Sequence, residues 1–183
     1  MDRRCLAFGI ATRTGSAFVV ALTGSATTPG FAGRREVDLV PDELPAQPYH
    51  AAADLDLEAA ERLVAQVEQA AETAAIAALR SAAGGELVVG VAVVVKPVSV
   101  PSHVAGILRS HAWMHAAEGA LYRKAMLAAA NACGWTTRAV EESALPSPDD
   151  HVAALGKVAG RPWRRSEKDA TRAALTLLPE MTA

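Results

Sequence analysis

Residues 87–95, Leu-Val-Val-Gly-Val-Ala-Val-Val-Val, hold nine consecutive positions without a polar side chain. A strand with one face in water alternates apolar and polar residues, and this run has no polar phase. It therefore predicts a strand covered on both faces, central in its sheet and parallel to a neighbour. Pro97 and Pro101 close it. A chain organised round such a strand must supply helices to both sides of the sheet.

The flanking sequence supplies them. Residues 5–12 and 16–23 read as two strands joined by the turn Arg13-Thr14-Gly15, and residues 31–40 as a third antiparallel strand at the sheet edge. Pro41, Pro45 and Pro48 make 41–53 a connecting loop with no regular element. Asp54 or Asp56 can cap a long helix reaching about Ser81, with apolar positions Ala60, Leu63, Val64, Val67, Ala71, Ala74 and Ala78 and a stop at Gly84-Gly85. A second helix runs from Val104 or Ser110 to Ala132, a short strand from Thr136 to Val140, and a last helix from Ser166 to Leu178. Residues 143–165 are expected to be irregular, with one helical turn near Val152. The 183 residues fit a single domain spanning 1–183.

Composition refines the core. The chain is 51% hydrophobic but only 4% aromatic, and 41 residues are alanine, concentrated in the helices, so helix and sheet should approach closely. No apolar run nears the roughly 18 residues of a membrane span. Arg3 and Arg4 lead into a mixed stretch rather than a secretory core, and Cys5 and Cys133 are isolated, which suits two buried free thiols in a cytoplasmic protein. The net charge of −2 conceals segregation: residues 38–72 carry nine acids against Arg62, whereas 157–172 carry six cations against two acids. A basic stretch of this kind suits a phosphate-bearing ligand such as a nucleic acid or nucleotide. The edge of the third strand can pair with another copy to form a homo-oligomer.

The order of three antiparallel strands followed by alternating helices and strands resembles the ribonuclease H-like fold. Gly9-Ile10-Ala11-Thr12-Arg13-Thr14-Gly15 is similar to the Gly-Ile-Asp-x-Gly opening of RuvC-like nucleases. The resemblance covers nearly the whole chain and implies an α/β protein with a mixed five-stranded sheet and helices on both faces. It also implies nucleic-acid chemistry in which clustered carboxylates hold two divalent metals at the scissile phosphate. The sequence departs from that pattern where it matters most. Ala11 stands at the position of the first-strand Asp, and Lys96 follows the fourth strand where an acid would be expected. Glu141, Glu142 and Asp169 stand where related enzymes place acids, although Asp169 with Ser166 also reads as a helix cap.

The second helix carries the densest polar line. His111, His115, Glu118 and Tyr122 are spaced to lie within about 40° of one helical line, beside the apolar stripe of Met114, Ala117, Leu121 and Ala125. His111 and His115 can share a divalent metal with Glu118 as third ligand, or Glu118 can hold His115 as a general base. Solvated or locally bonded histidines are the structural alternative. A third cluster, 156–169, places Arg161, Trp163 and Lys168 with other cations before a helix N-terminus, an anion site in general form but not a P-loop. There Trp163 can stack on a base or anchor the loop.

Two readings follow. In the first, His115, Glu118, Glu142 and Asp169 are catalytic, and Tyr122, Arg123, Arg161, Trp163 and Lys168 bind the ligand in a cleft between the second helix and the basic loop. In the second, Ala11 and Lys96 mark a member of the fold that binds or assembles without catalysis. A sugar-kinase-like ATPase is disfavoured, because those enzymes duplicate the domain.

Overall fold

The computed structural model describes residues 4–180; Arg3 of the N-terminal stretch lies outside them. Strands β1 (Cys5–Arg13) and β2 (Ser16–Gly24) form the expected antiparallel hairpin. Gly15 takes a φ of +75° in the connecting turn, a conformation that glycine adopts at no steric cost. β3 (Pro29–Asp38) pairs with the outer side of β2, two residues earlier than its apolar pattern predicts. The apolar run forms β4 (Leu87–Val95), parallel to β1, and β5 (Thr137–Glu141) lies parallel beyond it. The sheet order is β3-β2-β1-β4-β5, so β1 and β4 are its two inner parallel strands.

Seven helical segments complete the described chain. α1 (Pro48–Ala51) is one turn, α2 (Leu57–Ala83) and α4 (His111–Ala132) are long, and α3 (Val104–Ile107) is one turn. A 3-10 turn at Glu142–Ala144 precedes α5 (Asp150–Ala159) and α6 (Arg165–Leu175). Asp56 caps α2 by accepting a hydrogen bond from the Ala59 N–H at 2.8 Å, and Gly84 ends it at a φ of +57°.

The sequence pattern on β1 sorts large from small. Leu6, Phe8 and Ile10 face α2 and α4, where buried alanines of both helices close the layer. Ala7 and Ala11 face the opposite way, toward Leu155 of α5 and Ala170 and Ala174 of α6. With small residues on both sides of that second interface, α6 comes down almost onto the strand backbone. A Cβ built on Gly9 would stand 1.7 Å from the Ala170 carbonyl oxygen. The glycine that opens the Gly-Ile segment is therefore required for packing.

Three local expectations are corrected. The 143–165 stretch contains the ten-residue α5, because Asp149 caps it through the Val152 N–H at 3.0 Å and Val152 and Leu155 bury one face. The loop 41–53 contains α1, with Pro48 in the first turn where its missing N–H is not needed. α6 is capped not by Ser166 and Asp169 but by Glu167, whose Oε2 accepts from the Arg164 N–H at 2.6 Å; this leaves Asp169 for other partners. In addition, Cys5 is exposed and Cys133 half-buried, so neither thiol is fully enclosed.

Candidate functional site

β1 and β4 run parallel side by side, and their connections leave in opposite directions across the sheet. The carboxyl ends of such strands form a natural crevice. Here the crevice is a cleft of about 190 Å³ floored by Ala11, Thr12, Val94, Val95 and Lys96. Arg165, Ser166 and Asp169 wall it from the start of α6, Glu142 from the end of β5, and Arg123 from α4.

Both carboxylates in the cleft are held by guanidinium groups. Arg165 pairs with Glu142 through Nη2 and stands 3.5 Å from Asp169 through Nε. Arg172 donates to the other Asp169 oxygen at 2.9 Å and, through Nη2, to the Leu145 carbonyl at 3.1 Å. Among the described residues, Lys96 and Arg123 make no ion pair. Burial lowers the Arg123 pKa from its usual value. The cleft thus has three lining cations against two acids already engaged.

The basic loop before α6 is pinned to the sheet edge. Trp163 packs edge-on against Phe31 with ring centroids 6.5 Å apart, and the Arg34 guanidinium sits 5.9 Å from the indole centroid. The indole also fills the space over Gly156. This is the geometry of a loop anchor. Arg34 reaches on to Glu167 at 2.5 Å, and Arg164 to Glu36 at 3.4 Å. Arg161 and Lys168 remain exposed.

The polar line of α4 leads elsewhere. α4 runs antiparallel to β4 and β5, so its first turns lie at the same end of the sheet as the cleft, but no histidine is among the cleft-lining residues. Instead His111 and His115 meet His50 from α1. Their ring centroids are 4.5 Å apart from each other, and 5.0 and 4.4 Å respectively from that of His50. Glu118, 1% exposed, has Oε1 2.8 Å from His50 Nδ1, while its Oε2 stands 4.0 Å from His115 Nδ1. The nearest partner of this carboxylate is therefore His50, not His115. Tyr122 is fully buried and donates to the Ala46 carbonyl at 2.5 Å, which places it in the core and ties the proline-rich loop to α4. Burial first, then the Glu118 charge, pushes the Tyr122 pKa up to about 12. The neighbouring Tyr49 is likewise pushed up to about 12 by burial, then Glu68 and Glu118.

The residues singled out from sequence thus divide into separate groups. Glu142, Asp169 and Arg123 share the strand-end cleft, whereas His111, His115 and Glu118 share the histidine cluster. Trp163 belongs to the loop anchor. His50 gave no periodic signal in the proline-rich loop, and only its approach to α4 reveals it. Arg172 was readable as the i+3 partner of Asp169 but carries no motif.

No protein-family model matches the sequence, and no curated protein does. Solved structures match in fold. The chain is similar to T. thermophilus RuvC in complex with a Holliday junction substrate, at a TM-score of 0.57 and 14% identity, over 96% of this chain and 92% of that one. It is also similar to a second Thermus thermophilus RuvC structure, at a TM-score of 0.53 and 15% identity, over 93% and 92%. The protein has a divergent ribonuclease H-like fold with a mixed five-stranded sheet. Among the described residues, no helix is long and apolar enough to cross a membrane.

The two-metal chemistry implied by the resemblance does not fit this donor set. Ala11 offers no ligand atom, Lys96 brings a positive charge to the end of β4, and both remaining acids are occupied by arginines. Divalent metals at this point would need more carboxylate oxygens than Glu142 and Asp169, the two acids among the described lining residues, supply.

Proposed function

We propose that this protein is a nucleic-acid-binding module of ribonuclease H-like fold, acting as one domain, whose strand-end cleft grips a phosphate backbone with cations rather than cutting it through metals. The observation that carries the reading is Lys96 beside Ala11 at the ends of β4 and β1, with Arg123 and Arg165 around them. An ammonium group is a phosphate partner, as a metal pair would be, but it activates no water. Arg161 and Lys168, exposed nearby on the chain before and within α6, extend the positive surface. Glu142 and Asp169 pair with Arg165 and Arg172 and offset part of that positive charge. The solved RuvC complex with a Holliday junction supports a branched nucleic acid as the first ligand to try.

The test is binding of a labelled four-way DNA junction, a duplex and a single strand, with EDTA and with Mg²⁺ or Mn²⁺, over a range of salt. Expected is binding in EDTA that weakens as salt rises, with the DNA intact after incubation with either metal. Binding that requires the metal, cleavage of any substrate, or no binding at low salt would overturn the reading.

A further inference from the structure

We propose that His50, His111 and His115 form a binding site for a zinc-type transition-metal ion, with Glu118 orienting His50 from behind. The proposal is independent of the reading of the strand-end cleft.

Three imidazoles converge from two segments far apart in sequence. His111 and His115 are one helical turn apart on α4, and α1 brings His50 against them. One ring nitrogen from each lies within 4.8 Å of the other two. A tetrahedral ion with bonds of 2.0–2.1 Å needs nitrogens about 3.3 Å apart. His111 and His115 are exposed, so their rings can turn inward to close that difference without disturbing the core.

The second observation lies behind the cluster. Nδ1 of His50 donates to the buried Glu118 carboxylate at 2.8 Å, which fixes the tautomer and leaves the Nε2 lone pair as the ligand atom. That Nε2 is buried and has no hydrogen-bond partner. A buried polar atom without a partner is costly in a folded protein, and an ion at the meeting point of the three rings would satisfy it. Carboxylate behind imidazole behind metal is also how ligating histidines are commonly held and made more basic.

The donor set selects the ion. Neutral imidazoles suit Zn²⁺, Co²⁺, Ni²⁺ and Cu²⁺ and are poor ligands for Mg²⁺ and Ca²⁺. Three protein ligands leave a fourth position for water or a ligand atom. Bound there, the ion clips the proline-rich loop to α4, alongside the Tyr122 bond to Ala46.

The experiment is Co²⁺ titration of the metal-free full chain, read by visible absorption, with Zn²⁺ as competitor. Expected is one Co²⁺ per chain with the intense bands of tetrahedral coordination, displaced by Zn²⁺. His111→Ala removes an exposed ligand at little risk to the fold and should weaken binding at least 100-fold, as should His50→Ala. Glu118→Gln should weaken it about 10- to 100-fold while one ion still binds. His151→Ala, outside the cluster, should change nothing. Absence of Co²⁺ binding to the unmodified chain, binding undiminished in His111→Ala or His50→Ala, or equal loss in His151→Ala would overturn the proposal.

Discussion

Gly9 of β1 and Ala170 of α6 meet backbone to backbone, so closely that a Cβ on Gly9 would stand 1.7 Å from the Ala170 carbonyl oxygen and 2.7 Å from the Ala174 nitrogen. The contact sets the height of α6 over the sheet and so the depth of the cleft that α6 walls. Gly9→Ala should destabilise by about 3 kcal/mol, the upper range for overpacking, because backbone rather than a flexible side chain must move. Calorimetry should show the melting temperature falling by about 10 °C. A fall below about 2 °C would mean that α6 does not sit this close.

Tyr122 joins α4 to the carbonyl of Ala46, and its loss should be felt differently with pH. At neutral pH, Tyr122→Phe should cost about 1 kcal/mol, the usual net worth of one hydrogen bond. In alkali the sign works the other way. The unfolded phenol ionises near pH 10 and the folded one at about 12, so the stability from the buried neutral form is complete below pH 10 and is lost between 10 and 12. Tyr49 behaves alike, so the native chain should lose stability steeply across that window and Tyr122→Phe about half as steeply. Urea denaturation from pH 7 to 11.5 measures both slopes, and equal slopes would contradict the burial assigned to Tyr122.

The sheet was legible in the sequence because its central strand has no polar phase and its hairpin has a glycine at the turn; those signals are local. α5 was missed because only Val152 and Leu155 mark its buried face, between Pro148 and Gly160. The cleft was legible in part: Ala11 stands in β1, Lys96 directly after β4, and Glu142 and Asp169 near element ends. What they pair with was not, since Arg165 reaches Glu142 across 23 residues and only the fold closes that distance. His50 is the clearest case. A histidine in a proline-rich loop has no period to expose it, and its role depends on a single turn docking on α4.

Glu167 shows how a cap and an ion pair can share one carboxylate. Its Oε2 accepts from the Arg164 N–H at 2.6 Å, its Oε1 from Arg34 at 2.5 Å, and the side chain is 4% exposed. Glu167→Ala leaves the half-buried Arg34 guanidinium with the Pro162 carbonyl but no counter-charge, and the Arg164 N–H without its acceptor, and should cost about 3 kcal/mol. Glu167→Gln keeps an acceptor for one of the two donors and should cost about half as much. Thermal melts of the two variants give the comparison, and equal losses would mean that the charge on Arg34 alone accounts for the effect.

Glu142 and Asp169 separate the backbone-gripping reading from a catalytic one by the sign of their variants. If these acids held metals, Glu142→Gln and Asp169→Asn would abolish a metal-dependent activity and weaken metal-dependent binding. In the cleft they neutralise Arg165 and Arg172, so each substitution removes a negative charge facing the phosphates and leaves Arg165 with one carboxylate partner instead of two. Both variants should bind the four-way junction more tightly, by about 3- to 10-fold at low salt. Lys96→Ala should bind more weakly and reduce the salt dependence by about one phosphate contact. A salt titration of all three by fluorescence anisotropy reads these effects together. Weaker binding by Glu142→Gln and Asp169→Asn, with Lys96→Ala unchanged, would reverse the assignment of charge in the cleft and return the two carboxylates to a catalytic role.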